Sequence, residues 1–479
     1  MIERRQFYIN GAWVDPLDGR DHEVIDPSTE DPCAVISLGG QADTDAAVAA
    51  AKAALPGWMA TPPEDRIAAL ERVYAAYKER TEDLAKAISM EMGAPLDLAR
   101  SAQIGAGLNH LKNFINAAKA FEWEKPLNPD HPDTRILHEA VGVCALITPW
   151  NWPMNQITLK VGAALVAGNT MVLKPSEESP IDAMVFAEIM DAAALPPGVF
   201  NLVNGDGAGV GSQLSSHADV DMVSFTGSTR AGILISKAAA DSLKRVHLEL
   251  GGKGANLVFA DADEKAVKRG VLHMMNNSGQ SCNAPSRMLV EASRYDAAVE
   301  EAAATAAKVT VGPASEEGRH IGPVVNKTQW EKIQDLIQKG IDEGARLVTG
   351  GTGRPDGLNK GFYVRPTVFA DVTNDMTIAR EEIFGPVLSI MKFDTEEEAV
   401  RIANDTPYGL TNYVQSENTE RRHRLSRQLR SGMVETNGKS RGPGAPFGGM
   451  KASGNGREGG SWGIHDFVEV KAVSGWAAE

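Results

Sequence analysis

Short apolar runs at 143–147, 170–173, 199–203, 222–225 and 247–250 are separated by stretches in which hydrophobic and polar positions recur with helical spacing. Runs of this length, bounded by polar residues, read as buried strands, and their alternation with helices implies right-handed crossovers and a parallel, doubly wound α/β sheet. Upstream, between 43 and 92, Ile67, Leu70, Val73 and Tyr77 recur three to four residues apart. Asp43 and Thr44 offer caps, Pro56 is expected to stop the first helix, and Gly93-Ala94-Pro95 to end the last. The sheet is therefore expected to follow a helical front end. Another helical pattern covers about 98–120, and 125–133, rich in proline and aspartate, reads as a loop.

The second half repeats the style without repeating the sequence. A helix near 263–277, a strand at 287–291 and a helix at 295–308 predict a second α/β unit. Glycine-rich 438–460 reads as a long loop, and 467–473 alternates like an exposed strand that needs a partner edge.

Composition narrows the function. A chain of 479 residues with 43% hydrophobic and 23% charged residues builds two or three hydrophobic cores and is no disordered protein. The net charge of −15 argues against a nucleic-acid footprint, and the densest basic run, Arg421-Arg422-His423-Arg424, alternates with Leu425 and Leu429 as a solvated helix face does. Three cysteines, Cys33, Cys144 and Cys282, argue for a reducing compartment, with the cytoplasm as the expected location. Residues 1–10 carry no long apolar core and are expected to be neither leader nor anchor; 141–173 is interrupted by Pro149, Pro153 and Lys160, so no membrane association is expected.

The candidate chemistry lies at predicted strand ends. A Gly-x-Gly-x-x-Gly fingerprint is missing, since Gly205, Gly207, Gly209 and Gly211 merely alternate. Phe225-Thr226-Gly227-Ser228 instead makes a strand-turn-helix junction whose small residues would let a pyrophosphate approach helix N–H groups, or would simply cap the helix. Lys174-Pro175-Ser176-Glu177 follows another strand; a carboxylate there accepts hydrogen bonds from ribose hydroxyls and repels a 2′-phosphate, which favours NAD over NADP. In Thr148-Pro149-Trp150-Asn151-Trp152-Pro153, Asn151 is a candidate oxyanion donor. With a helix starting at Pro153, Trp152, Gln156 and Leu159 share a face that lines either a substrate passage or a core. Cys282, in the polar, small-residue run 278–283, and Glu249, 33 residues earlier, suggest a thiol nucleophile and its base.

These segments, joined by Ile25-Asp26-Pro27-Ser28-Thr29, Glu381-Glu382-Ile383-Phe384-Gly385-Pro386 and Pro446-Phe447-Gly448-Gly449, resemble the aldehyde dehydrogenase superfamily, of the NAD(P)-dependent, non-CoA-acylating type, over nearly the whole chain. The resemblance implies a three-part α/β fold: a Rossmann-like dinucleotide-binding domain (1–121 and 141–250), an α/β catalytic domain (251–452) and a β oligomerisation element (122–140 and 463–479). It implies that Cys282 attacks the aldehyde, that Asn151 and the Cys282 N–H hold the oxyanion, and that Glu249 activates the water that hydrolyses the thioester. Lys160 and Glu458 match a proton relay, or else form a structural ion pair. NAD would rest on Ile147, Trp150, Lys174, Glu177, Gly207, Phe225, Gly227, Ser228 and Leu250, with Glu382 on the nicotinamide ribose and Phe384 beside the ring. No metal is implied, and the partners are a small aldehyde and further copies of the chain, joined through the C-terminal strand.

The expected substrate passage combines Trp152, Gln156, Leu159, Ser281, Asn283, Arg441 and Phe447, which is mixed in polarity. Arg441 either clamps a distal carboxylate or fixes its glycine-rich loop. Two alternatives to hydrolytic oxidation are a CoA-acylating dehydrogenase and a catalytically retired binding protein on the same fold; Glu249 argues against the first, and the intact Cys282, Glu249 and Asn151 set against the second.

Overall fold

A computed structural model describes residues 1–476; the last three positions of the expected 463–479 segment lie outside the described residues. All five strands expected between 135 and 259 are present. They stand in the order Arg245–Glu249, Met222–Thr226, Val143–Ile147, Thr170–Lys174, Phe200–Leu202, and all are parallel. Helices cover them on both sides, so the strands are buried almost throughout, which is why they read as continuous apolar runs. From Val143–Ile147 the chain builds outward to Thr170–Lys174 and Phe200–Leu202, then returns to the other side for Met222–Thr226 and Arg245–Glu249. Strand order thus reverses between Val143–Ile147 and Met222–Thr226, where open α/β sheets bind ligands.

The second unit is also a seven-stranded sheet. Its order is Arg346–Thr349, Thr367–Ala370, Val387–Phe393, Arg287–Glu291, Ala255–Val258, Thr411–Gln415, Met433–Thr436, and only the first strand is antiparallel to its neighbour. The expected helices are present as Ala266–Met275 and Tyr295–Ala306.

Three expectations need correction. The front end is not helical from its start: short strands precede the helices, and two of them, Phe7–Ile9 and Ala12–Val14, extend the first sheet. At three residues each they are too short to show a period. Pro56 does not stop its helix, which runs Gln41–Met59; the proline falls in the final turn, where losing its own N–H bond costs little of the helix. The 125–133 loop is a hairpin of Glu124–Asn128 and His131–Ala140, turned by Asn128, whose Oδ1 accepts the N–H groups of Asp130 and His131. Its hydrophobic alternation is hidden because the first strand is an edge, where Pro126 is tolerated.

The C-terminal strand Val468–Val473 finds its expected partner edge in His131–Ala140, making a three-stranded antiparallel sheet whose outer edge stays open within the chain. Among the described residues no helix is long and apolar enough to cross a membrane.

Candidate active site

Three neighbouring strands deliver their ends to one crevice of about 230 Å³. Pro149, Trp150 and Asn151 follow Val143–Ile147; Thr226, Gly227 and Ser228 end and follow Met222–Thr226; Glu249, Leu250 and Gly251 end and follow Arg245–Glu249. Gln156, one turn into the helix Pro153–Ala167, joins them. The facing wall comes from the second unit: Cys282, Gln329, Lys332, Glu382 and Phe384.

Cys282 is delivered by an unusual turn. Asn277, Ser278 and Gly279 have φ of 52°, 56° and 72°, a left-handed run that only strong bracing retains. Asn277 Nδ2 donates to Asn151 O at 2.9 Å, Ser278 Oγ to Gly322 O at 2.8 Å, and Val325 N to Gln280 Oε1 at 3.0 Å. From the other side Gly252 presses on the Cys282 carbonyl, which a Cβ there would overlap. The Cys282 turn and the Glu249 segment therefore touch backbone to backbone. Asn151 Nδ2 donates to Gln280 O at 3.0 Å, which engages one of its two N–H bonds.

All three cysteines are free, and burial raises every thiol: Cys33 to about 12, Cys144 and Cys282 far above the usual range. Access, not acidity, separates them. Cys144 is fully buried in its strand and Cys33 Sγ donates to Val24 O at 3.3 Å, whereas Cys282 lines the crevice. The Glu382 and Glu249 carboxylates add to the effect of burial on Cys282, and the charge of Arg441 opposes it.

Glu249 is 1% exposed, and neither carboxyl oxygen has a hydrogen-bond partner among the described residues. Burial, followed by the Glu458 carboxylate, lifts its pKa well above the carboxylate range, while Lys160 and Arg457 pull it down. Behind it Lys160 Nζ meets Glu458 Oε1 at 2.7 Å and donates to Ser224 Oγ at 3.1 Å. Glu382 Oε1 accepts Gly252 N at 2.8 Å.

The other expected cofactor residues follow the same sheet edge beyond the crevice lining. Ile147 and Lys174 are paired at the ends of adjacent strands. Lys174 Nζ donates to Pro175 O at 2.8 Å and Gly205 O at 2.5 Å and stands 3.4 Å from Glu177 Oε2. Gly207 opens the next turn, and Phe225 packs beneath Gly227. Trp150 meets Phe384 edge to face, with ring centres 5.5 Å apart. Two buried crevice atoms, Thr226 Oγ1 and Gln156 Oε1, have no partner among the described residues. Ser228 Oγ accepts Ala231 N at 3.3 Å, capping the helix Thr229–Ala240, whose N-terminus opens beside the crevice. Unpaired polar atoms, a helix N-terminus and Lys332 suit an elongated anionic ligand rich in hydroxyls, such as a dinucleotide.

The expected passage divides. Gln156 faces the crevice, while Leu159, 2% exposed, belongs to the hydrophobic core. Trp152 Nε1 donates to Ser281 Oγ at 2.8 Å, and Tyr413 OH to Asn283 O at 2.5 Å. The Arg441 guanidinium stacks 4.8 Å from the Phe447 ring centre, its Nε 3.4 Å from Glu435 Oε1. Glu435, Gln329 and Lys332 escaped sequence reasoning. Gln329 Nε2 donates to Ile383 O at 3.1 Å and Phe384 O at 2.9 Å, and Lys332 Nζ to Glu382 O at 2.9 Å, so the helix Lys327–Asp342 steadies the Glu382–Phe384 loop. In sequence these are ordinary polar positions of an amphipathic helix, and no local signal marks them.

The family model for the aldehyde dehydrogenase family matches residues 13–473. A 3-succinoylsemialdehyde-pyridine dehydrogenase from a Pseudomonas species is 52% identical over 478 residues, 99% of each chain. An aldehyde dehydrogenase structure from Bartonella henselae is 59% identical, with a TM-score of 0.99 over 99% of this chain and 100% of that one. A mutant of aldehyde dehydrogenase C from Pseudomonas syringae, complexed with NAD+ and octanal, is 47% identical, with a TM-score of 0.97 over 99% of this chain and 97% of that one.

Proposed function

The chain belongs to the aldehyde dehydrogenase family and is an oxidoreductase, and from that premise we propose that Cys282 is its nucleophile, Asn151 its oxyanion donor and Glu249 the base that hydrolyses the acyl-enzyme. The observation that carries this reading is the convergence of the three on one crevice at the point where strand order reverses.

Cys282 is protonated at rest, because burial and two carboxylates oppose its ionisation. It gives up that proton to water in the crevice as Sγ bonds to the aldehyde carbon. Charge develops on the former carbonyl oxygen, for which the second N–H of Asn151 and the Cys282 backbone N–H serve as donors, each worth roughly 3 kcal/mol. NAD held against Trp150, Phe384 and Glu382 would supply the acceptor for the hydride that leaves that carbon. A thioester is left on Cys282. Glu249 then removes a proton from water as the water oxygen bonds to the acyl carbon, and the C–S bond breaks to release the acid and a Cys282 thiolate, which regains its proton from solvent. A carboxylate raised out of its usual range is a serviceable base near neutrality, which favours hydrolysis over transfer to coenzyme A.

NAD would lie with its nicotinamide end in the crevice, against Trp150, Phe384 and Glu382, and its adenosine end on Lys174 and Glu177. The Pseudomonas syringae relative was solved with NAD+, and the Glu177 carboxylate disfavours a 2′-phosphate. The substrate we assign is a neutral aldehyde with a long or aryl-ketone tail. Glu435 already meets the charge of Arg441, and the named relatives act on a pyridine semialdehyde or hold octanal. The division we infer, 1–121 with 141–250, 251–452, and 122–140 with 463–479, is supported by the separation of the two seven-stranded sheets from each other and from the sheet of Glu124–Asn128, His131–Ala140 and Val468–Val473. The open edge of Val468–Val473, with Val470 65% exposed, supports homo-oligomerisation there, and a monomer in sedimentation would overturn that part. Three free thiols fit a cytoplasmic location.

Stopped-flow NADH formation with product analysis, run on octanal, an aryl keto-aldehyde and succinic semialdehyde, tests the reading. The parent enzyme should release free acid and prefer the two neutral aldehydes. C282S should form no NADH yet still bind NAD, and E249Q should give one equivalent of NADH and stall. Turnover by C282S, or a preference for succinic semialdehyde, would refute the corresponding assignment.

A further inference from the structure

His247 precedes Glu249 by two residues on the strand Arg245–Glu249, so strand alternation turns both side chains to one face. It is 3% exposed, and neither ring nitrogen has a hydrogen-bond partner among the described residues. Leaving an imidazole so is costly, and the arrangement asks for a use. Nε2 stands 3.7 Å from Glu249 Oε1, and Nδ1 stands 3.7 Å from Asp466 Oδ2. Both gaps exceed a hydrogen bond by a few tenths of an ångström, and both close with a small side-chain movement. Asp466 is held by Arg457 N, which donates to its Oδ2 at 2.7 Å, and its side chain is 35% exposed. The ring is closely confined: its Cδ2–Nε2 edge packs against Gly456, where a Cβ would overlap it, with Phe467 edge to face at 6.2 Å.

We propose that His247 carries the proton that Glu249 takes from the hydrolytic water to Asp466, and thereby out of the protein. The proposal rests on Glu249 as the base. In the step, the Glu249 carboxyl gives its proton to Nε2 while the Nδ1–H bond gives its proton to Asp466. One proton enters the ring and one leaves, so the imidazole stays neutral in its other tautomer; Asp466 releases its proton to solvent, and exchange of the ring protons with solvent restores the starting tautomer between turnovers. Oxidation of an aldehyde to a carboxylate by NAD and water liberates two protons per turnover, so a buried base needs an outlet. Burial holds the imidazole neutral, reinforced by the charges of Lys160 and Arg457; a neutral ring offers an acceptor nitrogen at one end and a donor at the other.

The Lys160 and Glu458 pair also adjoins Glu249. Lys160, Glu458 and Ser224 are 0%, 2% and 0% exposed, so the pair sets the local charge and, among the described residues, is not itself in contact with solvent. His247 with Asp466 is the branch that reaches a partly exposed group.

Full-length H247N and D466N, followed by stopped-flow NADH formation, test the relay. Asparagine at 247 keeps a donor near the position of Nδ1 but cannot pass a proton. The NADH burst should keep its amplitude and rate in H247N, while the steady rate falls by roughly 100-fold, the low end for a positioned proton carrier. D466N should lose less, because solvent can replace a terminal acceptor, and imidazole added to H247A should restore part of its steady rate. Parental steady rates in H247N and D466N, or loss of the burst together with the steady rate in H247N, would overturn the relay; if H247N fails to fold, D466N decides. E249Q keeps the two readings separate: turnover without a stall in E249Q defeats the base assignment, whereas a stall there with parental rates in the other two defeats the relay alone.

Discussion

Glu91 and Glu249 are buried to the same degree, at 0% and 1% exposure, and the fold treats them oppositely. Glu91, on the helix Thr81–Met92, accepts Ile181 N at 2.7 Å and Asp182 N at 2.8 Å. It thereby caps the helix Ile181–Ala192, whose own N-cap, Pro180, has no side-chain acceptor. Glu249 accepts no hydrogen bond among the described residues. Burial lifts both above the carboxylate range. Satisfaction, not burial, separates a carboxylate that holds the fold from one free to exchange protons.

The largest effect should come from exchanging the two defects. E249Q removes a charge that has no partner, so stability should hold or rise while hydrolytic turnover falls by roughly 100-fold or more. E91Q turns an amide N–H₂ toward a backbone N–H and should cost about 1–3 kcal/mol of stability, while activity per folded molecule stays at the parental level. Thermal denaturation beside steady-state assays checks both. The comparison breaks if E249Q is the less stable of the pair.

A smaller effect lies in pH. The pKa of Glu249 is raised on folding, so its neutral form contributes stability fully below the unfolded carboxylate value, and that stability is lost as pH climbs through the raised value. The base form appears over the same interval. The deacylation rate should therefore rise with pH as stability falls, and the Tm advantage of E249Q should widen. Glu91 is shifted in the same direction, so E91Q should alter the pH dependence of stability and leave the ascending rate limb in place. An ascending limb that survives in E249Q would assign it to another group, with Cys282 the first candidate.

The contrast also marks what sequence could reveal. The strands of the first sheet were legible because parallel strands buried on both faces are short, unbroken apolar runs. Cys282, Asn151 and Glu249 were legible because each sits in a motif at a strand end or turn, and one crevice unites them. Nothing local distinguishes Glu91, a charged residue in an ordinary helical pattern; its value comes from Ile181 and Asp182, some 90 residues away. Gln329, Lys332 and Glu435 were hidden for the same reason. His247 was read only as part of an apolar strand, since its meaning depends on Asp466 and Gly456, more than 200 positions downstream. The hairpin at Glu124–Asn128 was missed because edge strands tolerate the proline and charge that otherwise announce a loop.

Glu177 stands between the two extremes and gives the smallest effect. Its side chain is 28% exposed, and its only charged partner within 4 Å among the described residues is Lys174, at 3.4 Å. Solvent screens a carboxylate so placed: two unit charges 4 Å apart in water interact by about 1 kcal/mol, roughly fivefold in an equilibrium constant. E177Q keeps an acceptor for ribose hydroxyls and removes the repulsion of a 2′-phosphate, while Lys174 remains to attract it. The ratio of kcat/KM for NADP to that for NAD should therefore rise roughly fivefold, and stability should move by less than about 0.5 kcal/mol, as at other exposed sites. An unchanged ratio would mean that Glu177 does not face the ribose. A shift of 100-fold would mean that the bound cofactor seals Glu177 from water, which would place this carboxylate with Glu249 rather than between it and Glu91.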